Sequence, residues 1–126
     1  PLLIYQGRIN MIDRAPIEEG ITDLCEREGV GFISFSPLAQ GLLTDRYLNG
    51  IPEDSRMSRG KFLKQDVLTP ELLAYLRELN AEAQQQGKTL AEMALSWVLE
   101  QKAVTSVLIG ASSTTQLERN LKCVNK

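Results

Sequence analysis

Histidine is absent from the 126 residues. A Ser-His-Asp triad, an HExxH zinc site and an imidazole general base are therefore excluded. Cysteine is scarce: Cys25 and Cys123 stand far apart, with no CxxC pair. That usage reads as two reduced, partly buried thiols in a cytosolic protein. No apolar run approaches the roughly 18–20 residues that span a bilayer, so membrane insertion is not expected. A formal net charge of -2 leaves no basic footprint for nucleic acid. Residues 1–5 read as a strand already under way, so no targeting segment is expected at this start. A chain that opens in a strand, without an initiator methionine, is expected to be a fragment or a processed product.

What is present is a globular composition, 43% hydrophobic and 24% charged, at a length suited to one ordinary domain. Residues 2–6 form a short apolar run and read as a buried strand ending at Gln6. Pro16 fits the first turn of a helix that carries Ile17, Ile21, Leu24 and Cys25 at helical spacing and stops at Gly29. Residues 30–36 are a second strand, ended by Pro37. Leu42, Leu43, Tyr47 and Leu48 suggest a short helical piece, broken by Gly50-Ile51-Pro52. Residues 55–64 are basic and contain glycine, and they read as an exposed loop of the length that is usually functional or disordered. Thr69 caps a helix with Pro70 at its first position and an apolar stripe of Leu72, Leu76, Leu79 and Ala83. Gly87 stops it. Thr89 to Glu92 form a capping box that opens another helix, with Leu90, Met93, Ala94 and Trp97 on one face. Residues 104–109 are the third strand, and a last helix starts near Thr114 with Leu117 and Leu121.

Two of these junctions carry chemistry. After the third strand come Gly110, small polar residues and a helix N-terminus, whose N–H groups and dipole favour an anionic group such as phosphate. After the second strand come Pro37-Leu38-Ala39-Gln40-Gly41. Two such loops point to one ligand held between them, and a nucleotide cofactor fits. The alternation of strands and helices predicts a parallel α/β sheet with right-handed crossovers. Apolar strands predict cover on both faces. Three strands suit either a small doubly wound sheet or an arc of a larger barrel.

The run Phe35-Ser36-Pro37-Leu38-Ala39-Gln40-Gly41-Leu42-Leu43-Thr44, followed by Tyr47, Gly50-Ile51-Pro52 and Ser55-Arg56, resembles the strand-seven region of aldo-keto reductases. Leu95-Ser96-Trp97-Val98-Leu99 is similar to a helix of that family. Ile109-Gly110-Ala111-Ser112 with Gln116 and Asn120 is similar to its closing cofactor motif. Together and in order these motifs are specific, and the resemblance covers essentially the whole chain. Its flavour is the bacterial branch related to potassium-channel β subunits and glyceraldehyde-3-phosphate reductases. The resemblance implies a TIM (β/α)8 barrel of roughly 300 residues, with this chain supplying strands six to eight and their helices as the C-terminal segment of one oxidoreductase domain. In such barrels a phosphate site commonly lies on the loops after strands seven and eight.

The implied activity is NADPH-dependent reduction of aldehydes or ketones to alcohols in the cytoplasm. Read alone, Gln6 is a solvated strand end and Phe35 is ordinary core. The resemblance implies that Gln6 hydrogen-bonds the nicotinamide carboxamide and that Phe35 stacks on its ring. It implies further that Ser36, Leu38 and Gln40 approach the ribose and pyrophosphate on a turn fixed by Pro37. Arg46 would lie near the phosphates and Arg56 near the adenosine end. Their guanidinium groups favour NADPH over NADH. Gly110 and Ser112 match the loop after strand eight. Gln116 and Asn120, four apart on one helical face, would serve the 2′-phosphate and adenine. Arg119 stands where near relatives often hold an acidic residue, Ile9 where an aromatic is common, and Asp45 where glycine is frequent. The family's catalytic Asp, Tyr, Lys and His belong to the first half of the barrel. Tyr5, Tyr47 and Tyr75 match none of them, so the chain alone is expected to be inactive. A cofactor-sensing regulatory subunit and a half-barrel that assembles with another half are the alternatives.

Overall fold

Three parallel strands in the order β1-β2-β3 form the sheet: β1 (Ile4–Arg8), β2 (Gly31–Phe35) and β3 (Val104–Val107). The computed structural model describes residues 3–44, 48, 68–111 and 113–123. Between β1 and β2 lie α1 (Ala15–Glu18) and α2 (Ile21–Glu28). Between β2 and β3 lie a 3-10 turn (Ala39–Gly41), α3 (Pro70–Gln85) and α4 (Leu90–Leu99). Helix α5 (Thr114–Leu121) follows β3.

Helix ends sit where local chemistry puts them. Thr69 accepts the N–H of Leu72 at the start of α3, and Pro70 takes the first helical position. Thr89 and Glu92 form the reciprocal capping box of α4, a device worth about 0.5–2 kcal/mol through its cap residue. Gly29 and Gly87 end their helices in the left-handed region.

Several boundaries differ from the sequence reading. Strand β1 runs two residues later than predicted, so Gln6 lies in its middle, paired in register with Ile33, rather than at its end. The single helix expected between Pro16 and Gly29 is two, because Gly20 adopts φ 82° and interrupts the helical backbone. The break rotates the following residues: Cys25 is buried while Leu24 is exposed. The helical piece expected around Leu42 and Leu43 is a turn following the 3-10 segment, and Tyr47 lies outside the described residues. Residues 55–64 also lie outside them. Strand β3 stops at Val107, although the Leu108 N–H still bonds to Ser34 O at 2.8 Å.

The register separates two faces of the sheet. Tyr5 pairs with Phe32 and Gly7 with Ser34, whereas Gln6 pairs with Ile33 and Arg8 with Phe35. The first set faces the helices. Phe32 is fully buried there, with Ile9 and Cys25, and Tyr5, Ile17, Ile21, Trp97 and Val104 pack around them. The ring centroids of Tyr5 and Phe32 are 5.5 Å apart. Gly7 is required by this packing, since a Cβ there would lie 2.8 Å from Phe32 Cζ. The second set is half-buried or exposed. Cover on both faces, which the apolar strands predicted, is not seen among the described residues, whose helices cover one face. A second core joins α3 and α4 through Leu76, Leu79, Ala83, Leu90, Met93 and Ala94, and takes in Met11, Leu42 and Leu43 from the loops after β1 and β2. Those loops are therefore anchored by burial rather than left free at the rim.

Candidate functional site

Because the strands are parallel, their C-terminal ends share one edge of the sheet, and the loops that leave them lie side by side. Gln6 and Phe35 share the face left uncovered by helices. Gln6 is exposed in mid-strand, and Phe35 is half-buried as the last residue of β2. Arg8, in register with Phe35, holds its guanidinium carbon 5.4 Å from the centre of that ring. One side of the ring is thereby attended by a cation.

The loop after β2 has unusual backbone geometry. Ser36, Ala39 and Gln40 have φ of 53°, 50° and 59°, and Gly41 has 98°. Only the last is a residue that adopts this region at no cost. Left-handed non-glycine residues cost on the order of 1–3 kcal/mol each and gather at ligand-binding segments. The loop is tied down accordingly. Pro37 is buried, Leu43 donates its N–H to Leu38 O at 3.0 Å, and Thr44 Oγ1 donates to Gly41 O at 2.6 Å. Ser34 Oγ donates to Ile9 O at 3.0 Å. Asn10 Nδ2 donates to Ser36 O at 3.0 Å. Arg14 lies over Trp97 at 4.7 Å and donates from Nε to Met11 O, which fastens the loop after β1 to α4.

After β3 the chain passes through Gly110, where a Cβ would meet nothing within 4 Å. Neither crowding nor a positive φ requires glycine there, and the open space suits the close approach of a ligand. Ser113 caps α5 by accepting the N–H of Gln116 at 3.1 Å. The first turn of any helix presents N–H groups without intrahelical acceptors and a positive dipole end. Gln116 is half-buried, and Asn120, one turn on, is 6% exposed. The amide nitrogen of Asn120 is buried and has no hydrogen-bond partner. The outward positions Leu117 and Leu121 are exposed. The helix thus buries a polar residue and exposes two leucines.

The structure therefore brings together Gln6 and Phe35 on the open face, Ser36, Pro37, Leu38 and Gln40 in the strained loop, and Gly110, Gln116 and Asn120 around the third junction. Arg46, Arg56 and Ser112 lie outside the described residues. Sequence reasoning passed over Asn10 and Arg8. Nothing local marks Asn10, whose partner is 26 positions away. The alternation of β1 could have flagged Arg8 as a cation on the face of Gln6. An aromatic platform, an orphaned buried amide, an uncrowded glycine and a helix N-terminus form a donor set that fits a nucleotide with its phosphates. Among the described residues there is no cluster of His, Cys, Asp and Glu that could hold a metal ion, and no helix long and apolar enough to cross a membrane.

Residues 1–126 match the aldo/keto reductase family. The chain is 51% identical over 129 residues to proteins named L-glyceraldehyde 3-phosphate reductase from Escherichia coli O157:H7 and from Escherichia coli strain K12. Each match covers 99% of the chain and 37% of the relative, so the chain spans little more than a third of their length. Among solved structures, the glycerol dehydrogenase of Gluconobacter oxydans aligns with a TM-score of 0.70 at 27% identity, over 96% of this chain and 36% of that one. A thermostable aldo-keto reductase solved with the inhibitor epalrestat aligns over the whole chain, and 35% of its own, with a TM-score of 0.66 at 24% identity, a likeness of fold. The fold neighbours are aldo-keto reductase barrels, of which this chain covers a part.

Proposed function

The chain belongs to the aldo/keto reductase family, and we propose that it is the cofactor-binding wall of an NADPH-dependent carbonyl reductase. In this reading its three strands are the sixth, seventh and eighth of a (β/α)8 barrel, and the chain is the C-terminal segment of that single domain. The uncovered sheet face is where the remaining strands of the barrel, or another half-barrel, would lie. The substrate is a small aldehyde or ketone, and the protein works in the cytoplasm without nucleic acid or membrane insertion.

The observation that carries the reading is Asn120. Burying an amide without a partner costs about 1–3 kcal/mol, and a helix face in a well-packed protein has no reason of its own to hold one. A purine edge supplies the missing acceptor. The other residues divide the remaining work. Phe35 offers a flat apolar ring to a nicotinamide, and the Gln6 amide offers a donor and an acceptor to its carboxamide. Ser36, Leu38 and Gln40 border the ribose and pyrophosphate. Arg46, Arg56, Ser112 and Gln116 favour a ligand with an additional 2′-phosphate. Gly110 leaves room for the chain of phosphates. Arg8 beside Phe35 favours a carbonyl compound bearing a negative group, such as the phosphate in the names of the Escherichia coli relatives. NADPH, when bound, supplies the hydride that adds to the carbonyl carbon.

Among the described residues we assign none to protonate the developing alkoxide, a general-acid step. Pure chain is therefore expected to bind NADPH more tightly than NADH in a fluorescence titration, and to show no carbonyl reduction. Turnover by the pure 126-residue polypeptide, or equal affinity for the two nucleotides, would contradict the proposal.

A further inference from the structure

We infer that Asn10 is a positioning residue that holds the loop after β2 open for the cofactor. The inference rests on the proposed function but concerns a residue outside the contact set. Asn10 is 1% exposed and uses both ends of its amide. Its Oδ1 accepts the N–H groups of Ile12 and Asp13 at 2.9 and 2.7 Å, forming a local turn in the loop after β1. Its Nδ2 crosses 26 positions to donate to Ser36 O at 3.0 Å.

Ser36 is where the chain turns out of β2 with φ 53°, and it begins the strained segment that continues to Gly41. A left-handed serine relaxes toward the ordinary extended or helical regions unless something holds its peptide plane. Among the described residues the Ser36 side chain makes no hydrogen bond that supplies that hold. The carbonyl does: it accepts from the Asn10 amide and from Ala39 N–H at 3.1 Å. The second of these bonds lies inside the loop and moves with it. The first ties the loop to β1, and through Met11 to the α3–α4 core. Asn10 therefore fixes where the loop stands relative to the sheet, while the bonds within the loop fix only its shape.

The two functions of this one side chain separate by substitution. Asn10→Asp keeps the oxygen that accepts from Ile12 and Asp13 but replaces the donor to Ser36 O with a second acceptor. Asn10→Ala removes both without adding charge. Ser34→Ala removes the neighbouring bond from β2 to Ile9 O and serves as a control for stability alone. Each 126-residue variant is titrated with NADPH, its melting temperature is measured, and the NMR shifts and intraresidue NOE of Ser36 are recorded as the signature of its left-handed backbone. Expected is a weakening of about tenfold or more in NADPH affinity for both Asn10 variants, because the Ser36 carbonyl loses the donor that ties it to the loop after β1. The Ser36 signature is lost in both. Ser34→Ala lowers the melting temperature but holds affinity within about twofold of the parent. A weakening confined to Asn10→Asp assigns the effect to its charge and overturns the inference. So does an Asn10→Asp chain that binds as the parent does, or one that keeps the Ser36 signature. A parent chain that fails to bind NADPH defeats the proposed function and the inference with it, a result distinct from binding that Asn10 does not affect.

Discussion

Replacing Asn120 with leucine is expected to stabilise the free chain and to weaken NADPH binding. The two effects have opposite signs because the amide serves a ligand rather than the fold. Its nitrogen is buried without a partner in the free chain, a condition that costs about 1–3 kcal/mol. Leucine keeps the same γ-branched shape, with two larger methyl groups in place of the amide oxygen and nitrogen, and removes that cost. In a domain of this size each kcal/mol of that gain corresponds to a rise of roughly 3–6 °C in melting temperature. The same substitution removes the donor proposed to meet the adenine, so affinity for NADPH falls by about tenfold or more. Differential scanning fluorimetry with and without NADPH reads both at once: the variant melts higher alone and gains less from the nucleotide. A variant that melts lower than the parent would mean that Asn120 supports the fold, and the reading of its amide as a ligand group would fail.

Phe32→Ala is expected to unfold most of the chain. Phe32 is fully buried in the central strand, against Tyr5, Ile9 and Cys25. Removing a buried phenyl ring costs about 3–5 kcal/mol in transfer and cavity terms together. Most domains have only about 5–15 kcal/mol of net stability, and a sheet with one face uncovered is expected to lie low in that range. The loss falls on the strand whose end carries Phe35 and the Ser36 loop, so cofactor binding goes with it. Urea unfolding followed by circular dichroism measures the cost. A variant that unfolds at the parent's urea concentration would show that the buried face of the sheet does not hold the fold.

The architecture was largely legible in the residues, for physical reasons. Caps such as Thr69, Thr89 and Ser113, and stops such as Gly29 and Gly87, act within one turn of the chain, so their effect can be read locally. Gly20 could be read in two ways. A single glycine is tolerated inside a helix at a cost of about 1 kcal/mol, and only the folded backbone shows that it takes the left-handed conformation and splits the helix. The apolar content of the strands could not distinguish a sheet covered on both faces from one whose second face is completed by other strands. Gln6 was read at the end of β1 but lies in its middle, because the extent and register of the strand are set by pairing with β2. Asn10 was invisible for a similar reason: its importance lies in a bond to a carbonyl far along the chain. On α5 Leu117 and Leu121 are exposed and the buried position is Asn120, the reverse of the usual apolar-inside arrangement. That inversion is intelligible once the helix is read as a wall for a polar ligand.

The decisive measurement is a titration of the isotopically labelled 126-residue chain with NADP+, followed by backbone and side-chain amide NMR. The binding-wall reading predicts saturable shifts at Gln6, Phe35, Ser36, Leu38, Gln40, Gly110 and Gln116, and at the side-chain amide of Asn120, with little change along the outer faces of α2 and α3. Shifts confined to other surfaces, or none at concentrations that saturate intact aldo-keto reductases, would contradict it.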